Sequence, residues 1–225
     1  MKSYVNRCPS CNRFAKHKKL RAPLQPWQVS TAREVLAMDY FGQGKLPETP
    51  RGNTVILTML DLFTKFAAAF PLVNSTSETT IQAILHGWIY RHGPPAVILT
   101  DQGRNFESVT FLQFCGDWRI QHIHTSTYHP QTNAACERFN CTLKGKMNRL
   151  LGGGQLLEWD MAVPAAVFAY NTTVHSSTGF TPFCIMYGTE ARIPGEMVSP
   201  RRISRSDTQN MLIRSSVTCE MVIKQ

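Results

Sequence analysis

The sequence predicts an α/β fold in which a mixed five-stranded sheet is flanked by helices. Three segments rich in β-forming residues, Val35–Tyr40, Thr54–Leu60 and Phe66–Val73, come before any segment with helical spacing. Helix-like and strand-like segments then alternate, as expected when helices pack on the faces of a sheet. Within that second half, Ala96–Thr100 is a short apolar run, which is typical of a strand buried on both faces.

The remaining elements follow from turn residues and apolar spacing. Gly42–Gly52 is rich in glycine and proline and predicts a hairpin loop, and the second and third strands are expected to be antiparallel neighbours. Ser77–Arg91 has helical spacing and stops at a Gly-Pro-Pro turn. The other predicted elements are helices over Ser108–Trp118, Ala134–Leu151 and Leu156–Tyr170, and a strand over Arg119–His124.

The 225-residue chain carries a net charge of +9, which is unevenly distributed. Residues 1–24 contribute +7 without any Asp or Glu, residues 25–185 are neutral, and residues 186–225 contribute +2. We predict a basic arm over residues 1–24, a globular core over 25–190 and a poorly ordered C-terminal tail over 191–225. A basic arm favours a polyanionic partner, most commonly nucleic acid, although a solvated tail accounts for the charge equally well.

Cysteine usage and hydropathy indicate a reducing intracellular location. Among seven cysteines only Cys8 and Cys11 form a C-x₂-C pair, and the others are scattered in a way that does not suit a disulfide framework. The first residues lack an apolar signal region, and no stretch reaches about 18 apolar residues, so we expect no membrane span. If the substrate is DNA, the nucleus is the expected compartment.

Three acidic residues stand where a strand–helix fold brings side chains together. Asp39 ends the first apolar run, Asp101 follows the buried strand at its carboxyl end, and Glu137 lies near the start of a helix. Phosphoryl transfer needs hard cations that activate the attacking oxygen and neutralise the leaving one, and Mg²⁺ prefers oxygen ligands. Three carboxylates therefore suit two such ions about 4 Å apart, with Asp39 bridging them. Taken singly, each acid also fits a structural role, as a helix cap or as a charge that complements a helix dipole. We interpret Asp61, which follows the second strand, as a structural acid in a turn.

The spacing and surroundings of these acids resemble those of a known family. Asp101 and Glu137 are separated by 35 residues, which resembles the D,D-35-E signature of retroviral and long-terminal-repeat retrotransposon integrases, most closely the Ty3/gypsy class. The resemblance covers residues 5 to about 190. The matching strings are the C-x₂-C at 8–11, MDY at 38–40, DLFTK at 61–65, HGPP at 92–95, LTDQGRNF at 99–106, STYHPQTNAACERFN at 126–140 and the segment from AYN at 169 to YG at 188.

This resemblance implies a ribonuclease-H-like fold with a catalytic triad of Asp39, Asp101 and Glu137 that binds Mg²⁺ or Mn²⁺. It also implies 3′-end processing and strand transfer of element DNA into a target by a homo-oligomer. Two departures from the family pattern are Ala134-Ala135 in place of a glycine and Cys136 in place of a Thr or aliphatic residue. The residues expected to contact DNA or support the site are Tyr128, His129, Gln131, Asn140 and Lys144.

Helical spacing separates two faces of the helix that carries Glu137. One face is expected to point into the core and the other to share the side of Glu137, which places Lys144 two turns further along that side. An exposed lysine on a solvated face is the alternative interpretation. The predicted core face consists of Phe139, Leu143, Met147 and Leu150, and the face of Glu137 contains Cys141, Lys144 and Asn148.

Cys8 and Cys11 supply half of a tetrahedral zinc site, which needs four ligands. The family resemblance implies two histidines upstream of this pair, whereas His17 lies downstream. We expect this zinc module to be truncated, so that zinc binds only if the missing His pair is present.

Two other functions remain open from the sequence. One is a domesticated, catalytically weak nucleic-acid-binding protein that keeps the fold and the basic arm. The other is a hydrolytic nuclease of the ribonuclease H type, which would share the metals but lack the YHPQT and AYN strings. The intact triad favours the integrase.

Overall fold

A computed structural model of the protein describes residues 29–124, 130–152 and 156–193, without the side chains of 130–134 and 156. The predicted basic arm with Cys8 and Cys11, and the residues Tyr128 and His129, lie outside the described residues. The strands are β1 Val35–Phe41, β2 Val55–Asp61, β3 Ala67–Leu72, β4 Val97–Thr100 and β5 Gln121–His124. The helices are α1 Ser77–Ile84, α2 Tyr90–His92, α3 Val109–Asp117, α4 Pro130–Leu150, α5 Trp159–Asn171 and α6 Pro182–Tyr187.

The five strands form one mixed sheet in the order β3-β2-β1-β4-β5. The pairs β1–β2 and β2–β3 are antiparallel, whereas β1–β4 and β4–β5 are parallel. The predicted mixed five-stranded sheet is confirmed. Because β1 and β4 are parallel neighbours, their carboxyl ends lie at the same edge of the sheet, where Asp39 and Asp101 are placed.

Helices cover both faces of the sheet. On one face α4 and α5 bury Phe139, Leu143 and Trp159 against alternate residues of β1 and β2. On the other face α1, the π-helical turn that follows it and α3 bury Ile84, Trp88 and Phe111 against the remaining residues of the same strands. The alternation follows from the period-two geometry of a strand, and burial on both faces explains why β2 reads as an almost continuous apolar run.

The helix that carries Glu137 begins earlier than the sequence indicated. We predicted polar residues up to Asn133 and a helix from Ala134, whereas α4 begins at Pro130, where proline's fixed φ and missing N–H are tolerated. Glu137 therefore lies two turns into the helix rather than at its start. Leu150 is 54% exposed, so its assignment to the core face was wrong, while Phe139, Leu143 and Met147 are buried as predicted.

Two other details differ from the prediction. The helix predicted over Ser77–Arg91 contains a π-helical turn at Leu85–Ile89 between α1 and α2. The short helix α6, capped by the Thr181 side chain, was not predicted. Within the described ranges, no helix combines the length and the apolar character needed to cross a bilayer.

Asp61 serves the turn between β2 and β3, as predicted. Its side chain is fully buried, and its carboxylate accepts hydrogen bonds from the backbone N–H groups of Thr64 (3.0 Å) and Arg33 (3.1 Å). Burial raises the pKa of this carboxyl, and the hydrogen bonds oppose that shift. With its oxygens committed to local donors, Asp61 is a structural residue.

A buried carboxylate fixes the loop between β1 and β2 to α5. Asp160 accepts hydrogen bonds from Thr49 Oγ1 (3.2 Å), Arg51 Nη1 (3.0 Å) and Asn53 Nδ2 (2.8 Å). Beside it, the indole N–H of Trp159 donates to the carbonyl of Pro47 at 2.8 Å. Because buried polar groups need partners, these contacts specify where the loop lies against the helix.

Replacing Asp160 with Asn is expected to destabilise the fold by about 1–3 kcal/mol, because the amide presents an N–H₂ to groups that are themselves donors and the ion pair with Arg51 is lost. Urea unfolding at pH 7 measures this effect. The matched control is Asp117→Asn, because Asp117 is exposed and makes one side-chain hydrogen bond, to Gln113. An unchanged midpoint for Asp160→Asn would contradict the assignment.

The stability lost in the Asp160→Asn variant should depend on pH. Burial raises the pKa of the Asp160 carboxyl, but the hydrogen bonds from Asn53, Arg51 and Thr49 together with the Arg51 charge outweigh it, so the net shift lowers the pKa. A carboxyl whose pKa is lower in the folded protein stabilises the fold above its unfolded pKa of about 3.9 and loses that contribution as pH falls through the folded value. The difference between wild type and Asp160→Asn should therefore shrink below about pH 4.

Candidate active site

Asp39 lies inside β1 rather than at its end, and its carboxylate is held by two donors. The backbone N–H of Tyr40 donates to Oδ1 at 2.8 Å, and Asn140 Nδ2 donates to Oδ2 at 2.8 Å. The backbone carbonyl of Asp39 accepts from the Thr58 hydroxyl on β2 at 2.9 Å. Main chain and side chain are thus both fixed, so the carboxylate has a defined position at the sheet edge.

Asp101 directly follows β4 in a tight turn. The backbone N–H of Gly103 donates to its Oδ1 at 3.0 Å. A Cβ atom at position 103 would lie 3.0 Å from that oxygen and 3.3 Å from the ring of Phe106, which is fully buried. Both distances are tighter than ordinary contacts, so the absence of a side chain at Gly103 allows the Asp101 carboxylate to fold back onto the turn.

Glu137 is exposed on α4, and the three acids influence one another. The pKa of Asp39 is raised to about 6, first by burial, then by the charge of Asp101 and, more weakly, by that of Glu137, against the hydrogen bonds from Tyr40 and Asn140. Among the described residues, no three His, Cys, Asp or Glu side chains stand close enough together to hold a metal ion. The structure thus brings the three acids into electrostatic contact without drawing them into a closed ligand set.

The donor chemistry of this group suits a hard divalent cation. All three side chains offer oxygen only, which is the ligand type that Mg²⁺ prefers. The mutual repulsion that raises the pKa of Asp39 is what a cation between the carboxylates would offset. Cys136 is buried beside them, and burial raises the pKa of its thiol, so it stays a neutral apolar neighbour.

Asn140 is 8% exposed, one turn beyond Glu137 on the same helix, and it connects that helix to β1 through Asp39. Its Oδ1 is buried and has no hydrogen-bond partner among the described residues. The role that we predicted for it as a support of the site agrees with this contact, and a direct contact with DNA stays a prediction.

Tyr40 is a site neighbour that sequence reasoning missed. Its ring stacks on Phe106, with centroids 5.0 Å apart, and its hydroxyl hydrogen-bonds the Thr80 hydroxyl. Tyr40 follows Asp39, and Phe106 closes the Asp101 turn, so the stack connects the two acid-bearing segments. The available signal was an aromatic residue after each acid, directly after Asp39 in MDY and at the end of the turn that follows Asp101 in DQGRNF.

The other predicted site residues are placed only in part. Lys144 is exposed on α4, two turns beyond Glu137, as predicted, and Cys141 and Asn148 are exposed on that face as well. Gln131 lies in α4, but its side chain is outside the described part of the chain. DNA contacts by Tyr128, His129, Gln131 and Lys144 stay predictions.

Comparisons with known proteins point to one family. Residues 30–130 match the family described as "Integrase core domain". The chain is 30% identical over 191 residues to the transposon Tf2-3 polyprotein of Schizosaccharomyces pombe, an alignment that covers 83% of this chain. It is 26% identical over 151 residues, 67% of this chain, to the retrovirus-related Pol polyprotein from transposon 412 of Drosophila melanogaster.

Among solved structures, the fold is similar to the HTLV-2 integrase catalytic core domain in complex with magnesium, in its trimeric form. The TM-score is 0.56 at 25% identity, and the match covers 69% of this chain and 97% of that one. The chain spans only 14% of the Tf2-3 polyprotein and 12% of the transposon 412 polyprotein. The similarity therefore concerns one region of much longer proteins.

Proposed function

Because this chain contains an integrase core domain of the kind found in Ty3/gypsy-type transposons and retroviruses, we propose that it is a polynucleotidyl transferase. It would process the 3′ ends of element DNA and join them to a target. The observation that carries this proposal is the electrostatic coupling of Asp39, Asp101 and Glu137 at one edge of a ribonuclease-H-like sheet. If Asp101 and Glu137 capped separate parts of the fold, their charges would not raise the pKa of Asp39.

Asp39, Asp101 and Glu137 would hold Mg²⁺ or Mn²⁺, as two ions in the proposed chemistry. When bound, such ions activate the attacking oxygen and neutralise the leaving one. The rest of the chemistry is positioning. Asn140 keeps one oxygen of Asp39 in place, and the Gly103 N–H keeps one oxygen of Asp101 in place.

Contacts to the DNA are assigned to residues around this edge. Lys144 lies on the same side of α4 as Glu137 and would bind a backbone phosphate near the reacting end. Tyr128 and His129, which precede the helix in sequence, and Gln131, in its first turn, would position that end. We further propose a homo-oligomer that acts in the nucleus. Zinc binding at Cys8 and Cys11 would require two additional ligands.

A strand-transfer assay tests the proposal. The full chain is incubated with Mn²⁺, a target plasmid and a labelled duplex that carries the terminal sequence of the long terminal repeat. Joined product is expected from the wild type and from Glu48→Gln, an exposed acid outside the site, but not from Glu137→Gln. Product from Glu137→Gln, or from neither wild type nor variant, would contradict the enzymatic function. DNA binding without joining would instead favour the domesticated binding protein.

A further inference from the structure

Two buried threonine hydroxyls hold the backbone of the two aspartates of the candidate active site. Six threonines are buried in the described part of the chain, and two of them, Thr58 on β2 and Thr100 on β4, lie in strands. The Thr58 hydroxyl donates to the backbone carbonyl of Asp39 at 2.9 Å, and the Thr100 hydroxyl donates to that of Asp101 at 2.8 Å. Both hydroxyls therefore serve the main chain of an acid that we assign to the metal site.

The pairing between the two central parallel strands ends just before these aspartates. The register of β1 and β4 ends at Ala37 opposite Leu99, so Asp39 and Asp101 both lie beyond the last pair. The two threonines are 1% and 2% exposed, and a hydroxyl so deeply buried needs an acceptor. Each hydroxyl thus supplies, past the end of this ladder, a contact of the kind that main-chain pairing supplies within it.

At Asp39 the contact acts on the carboxylate through one rigid peptide unit. The carbonyl of Asp39 and the N–H of Tyr40 belong to the same planar group. Thr58 holds the carbonyl end of this group, and the N–H end donates to Asp39 Oδ1 at 2.8 Å. Because rotation of the group would break both hydrogen bonds, the Thr58 hydroxyl holds the carboxylate as well as the main chain.

At Asp101 the contact fixes the first peptide unit of the turn. The N–H of Gly103 donates to Asp101 Oδ1 at 3.0 Å, which closes a turn whose geometry depends on the direction of the Asp101 carbonyl. The Thr100 hydroxyl has one proton, which that carbonyl accepts, so His122 Nε2, 2.9 Å from the same hydroxyl, must donate to it. His122 on β5 therefore fixes the direction in which the Thr100 hydroxyl points.

We propose that Thr58 and Thr100 are positioning residues, whose hydroxyls hold the carboxylates of Asp39 and Asp101 in the arrangement that binds metal ions. The part that concerns metal rests on the proposed function, whereas the positioning rests on the hydrogen bonds above. A buried threonine that only fills space would be replaceable by valine, which has the same shape and suits a strand. A threonine that orients a metal ligand is not replaceable in this way, because losing such an outer contact changes metal affinity by about 10- to 100-fold.

Amide hydrogen exchange tests the positioning without metal. Exchange rates of the full, ¹⁵N-labelled chain are measured by NMR in EDTA. Thr58→Val should speed exchange of the Tyr40 N–H by about 5- to 10-fold, the effect of one lost hydrogen bond on local opening, and leave the Gly103 N–H unchanged. Thr100→Val should speed exchange of the Gly103 N–H and leave that of Tyr40 unchanged. Thr58→Ser and Thr100→Ser, which keep the hydroxyl, should retain the wild-type rates.

Mn²⁺ binding, measured from the electron paramagnetic resonance signal of the free ion, tests the consequence for the site. Each valine variant should bind Mn²⁺ about 10-fold more weakly than the wild type, and each serine variant should bind it like the wild type. Thr49→Val is the matched control, because Thr49 is also buried but its hydroxyl donates to Asp160. This variant should lose stability while keeping the exchange rates and the Mn²⁺ affinity.

Unchanged exchange of the Tyr40 and Gly103 amides in the folded valine variants, or the same increase in Thr49→Val, would overturn the proposal. A Mn²⁺ affinity that follows the melting temperature of each variant, rather than the presence of the hydroxyl, would overturn it as well. If Thr100→Val loses the native fold, the valine and serine variants of Thr58 decide the outcome. The proposed function can fail separately: a wild type that neither binds Mn²⁺ nor joins DNA ends would refute the metal site, while the exchange rates still decide the positioning.

Discussion

Asp39→Asn is expected to abolish strand transfer while making the metal-free protein more stable. The amide keeps the shape of the side chain but removes the charge at the centre of the three acids. Residues that act as a unit in catalysis lose on the order of 10³-fold or more in rate when one member is removed, and we expect a loss of at least that size. An enzyme site that stores unfavourable electrostatics gains stability when the charge is deleted.

The sign of the stability change follows from the pKa. Burial, together with the charges of Asp101 and Glu137, raises the pKa of Asp39 to about 6. A carboxyl with a raised folded pKa binds its proton more tightly in the folded state, so its ionised form destabilises the fold. This destabilisation is complete above the folded pKa and disappears as pH falls to about 4. The contribution of Asp39 to the free energy of unfolding of the wild type should therefore fall as pH rises from about 4 to about 6. The Asp39→Asn variant should show no such fall.

The magnitude is on the order of 2 kcal/mol at pH 7.5, where wild-type Asp39 is ionised. Hydrogen bonding at the site can survive the change, because Asn140 has an unpartnered Oδ1 that can turn toward the new amide. Urea unfolding in EDTA measures the gain, with exposed Asp117→Asn as the control. Mn²⁺ should raise the melting temperature of the wild type and leave that of Asp39→Asn nearly unchanged. A variant less stable than the wild type would refute the repulsion inferred at this site.

The strands were predictable because their signal is local. A strand that is buried on both faces needs apolar side chains at nearly every position, and β2 and β4 have them except at Thr58, Asp61 and Thr100. Asp39 and Asp101 could be placed at one edge because parallel neighbours end together, and their strings resembled those of a known family. The same reasoning could not locate the first turn of α4, since Gln131, Thr132 and Asn133 are polar residues that suit a loop as well as an exposed helix.

The contacts that support the site were not predictable in the same way. Asn140 and Asp39 are 101 residues apart, and their hydrogen bond depends on how α4 crosses β1. Leu150 continued the apolar spacing of Phe139, Leu143 and Met147, yet it is the last residue of the helix and stays largely exposed. Apolar periodicity indicates which face can be buried, whereas the length of the buried face depends on the partner.

Trp159→Phe is expected to cost about 3 kcal/mol, roughly 2 kcal/mol more than Trp88→Phe, although both indoles are almost fully buried. The substitution removes the same atoms at each position, so the cavity contribution is similar. The indole N–H differs: that of Trp159 donates to the Pro47 carbonyl, whereas that of Trp88 has no partner among the described residues. Phenylalanine at 159 leaves a carbonyl unpaired and frees the loop, while at 88 it removes an unsatisfied donor.

Urea unfolding of the two variants side by side, with tryptophan fluorescence and circular dichroism as independent probes, measures this difference. A further variant, Asp160→Asn in the Trp159→Phe background, should cost less than the sum of the single changes, because both residues fix the same loop to α5. Equal losses for Trp159→Phe and Trp88→Phe would show that the hydrogen bond to Pro47 contributes nothing measurable. Strict additivity in the double variant would show that the two contacts hold the loop independently.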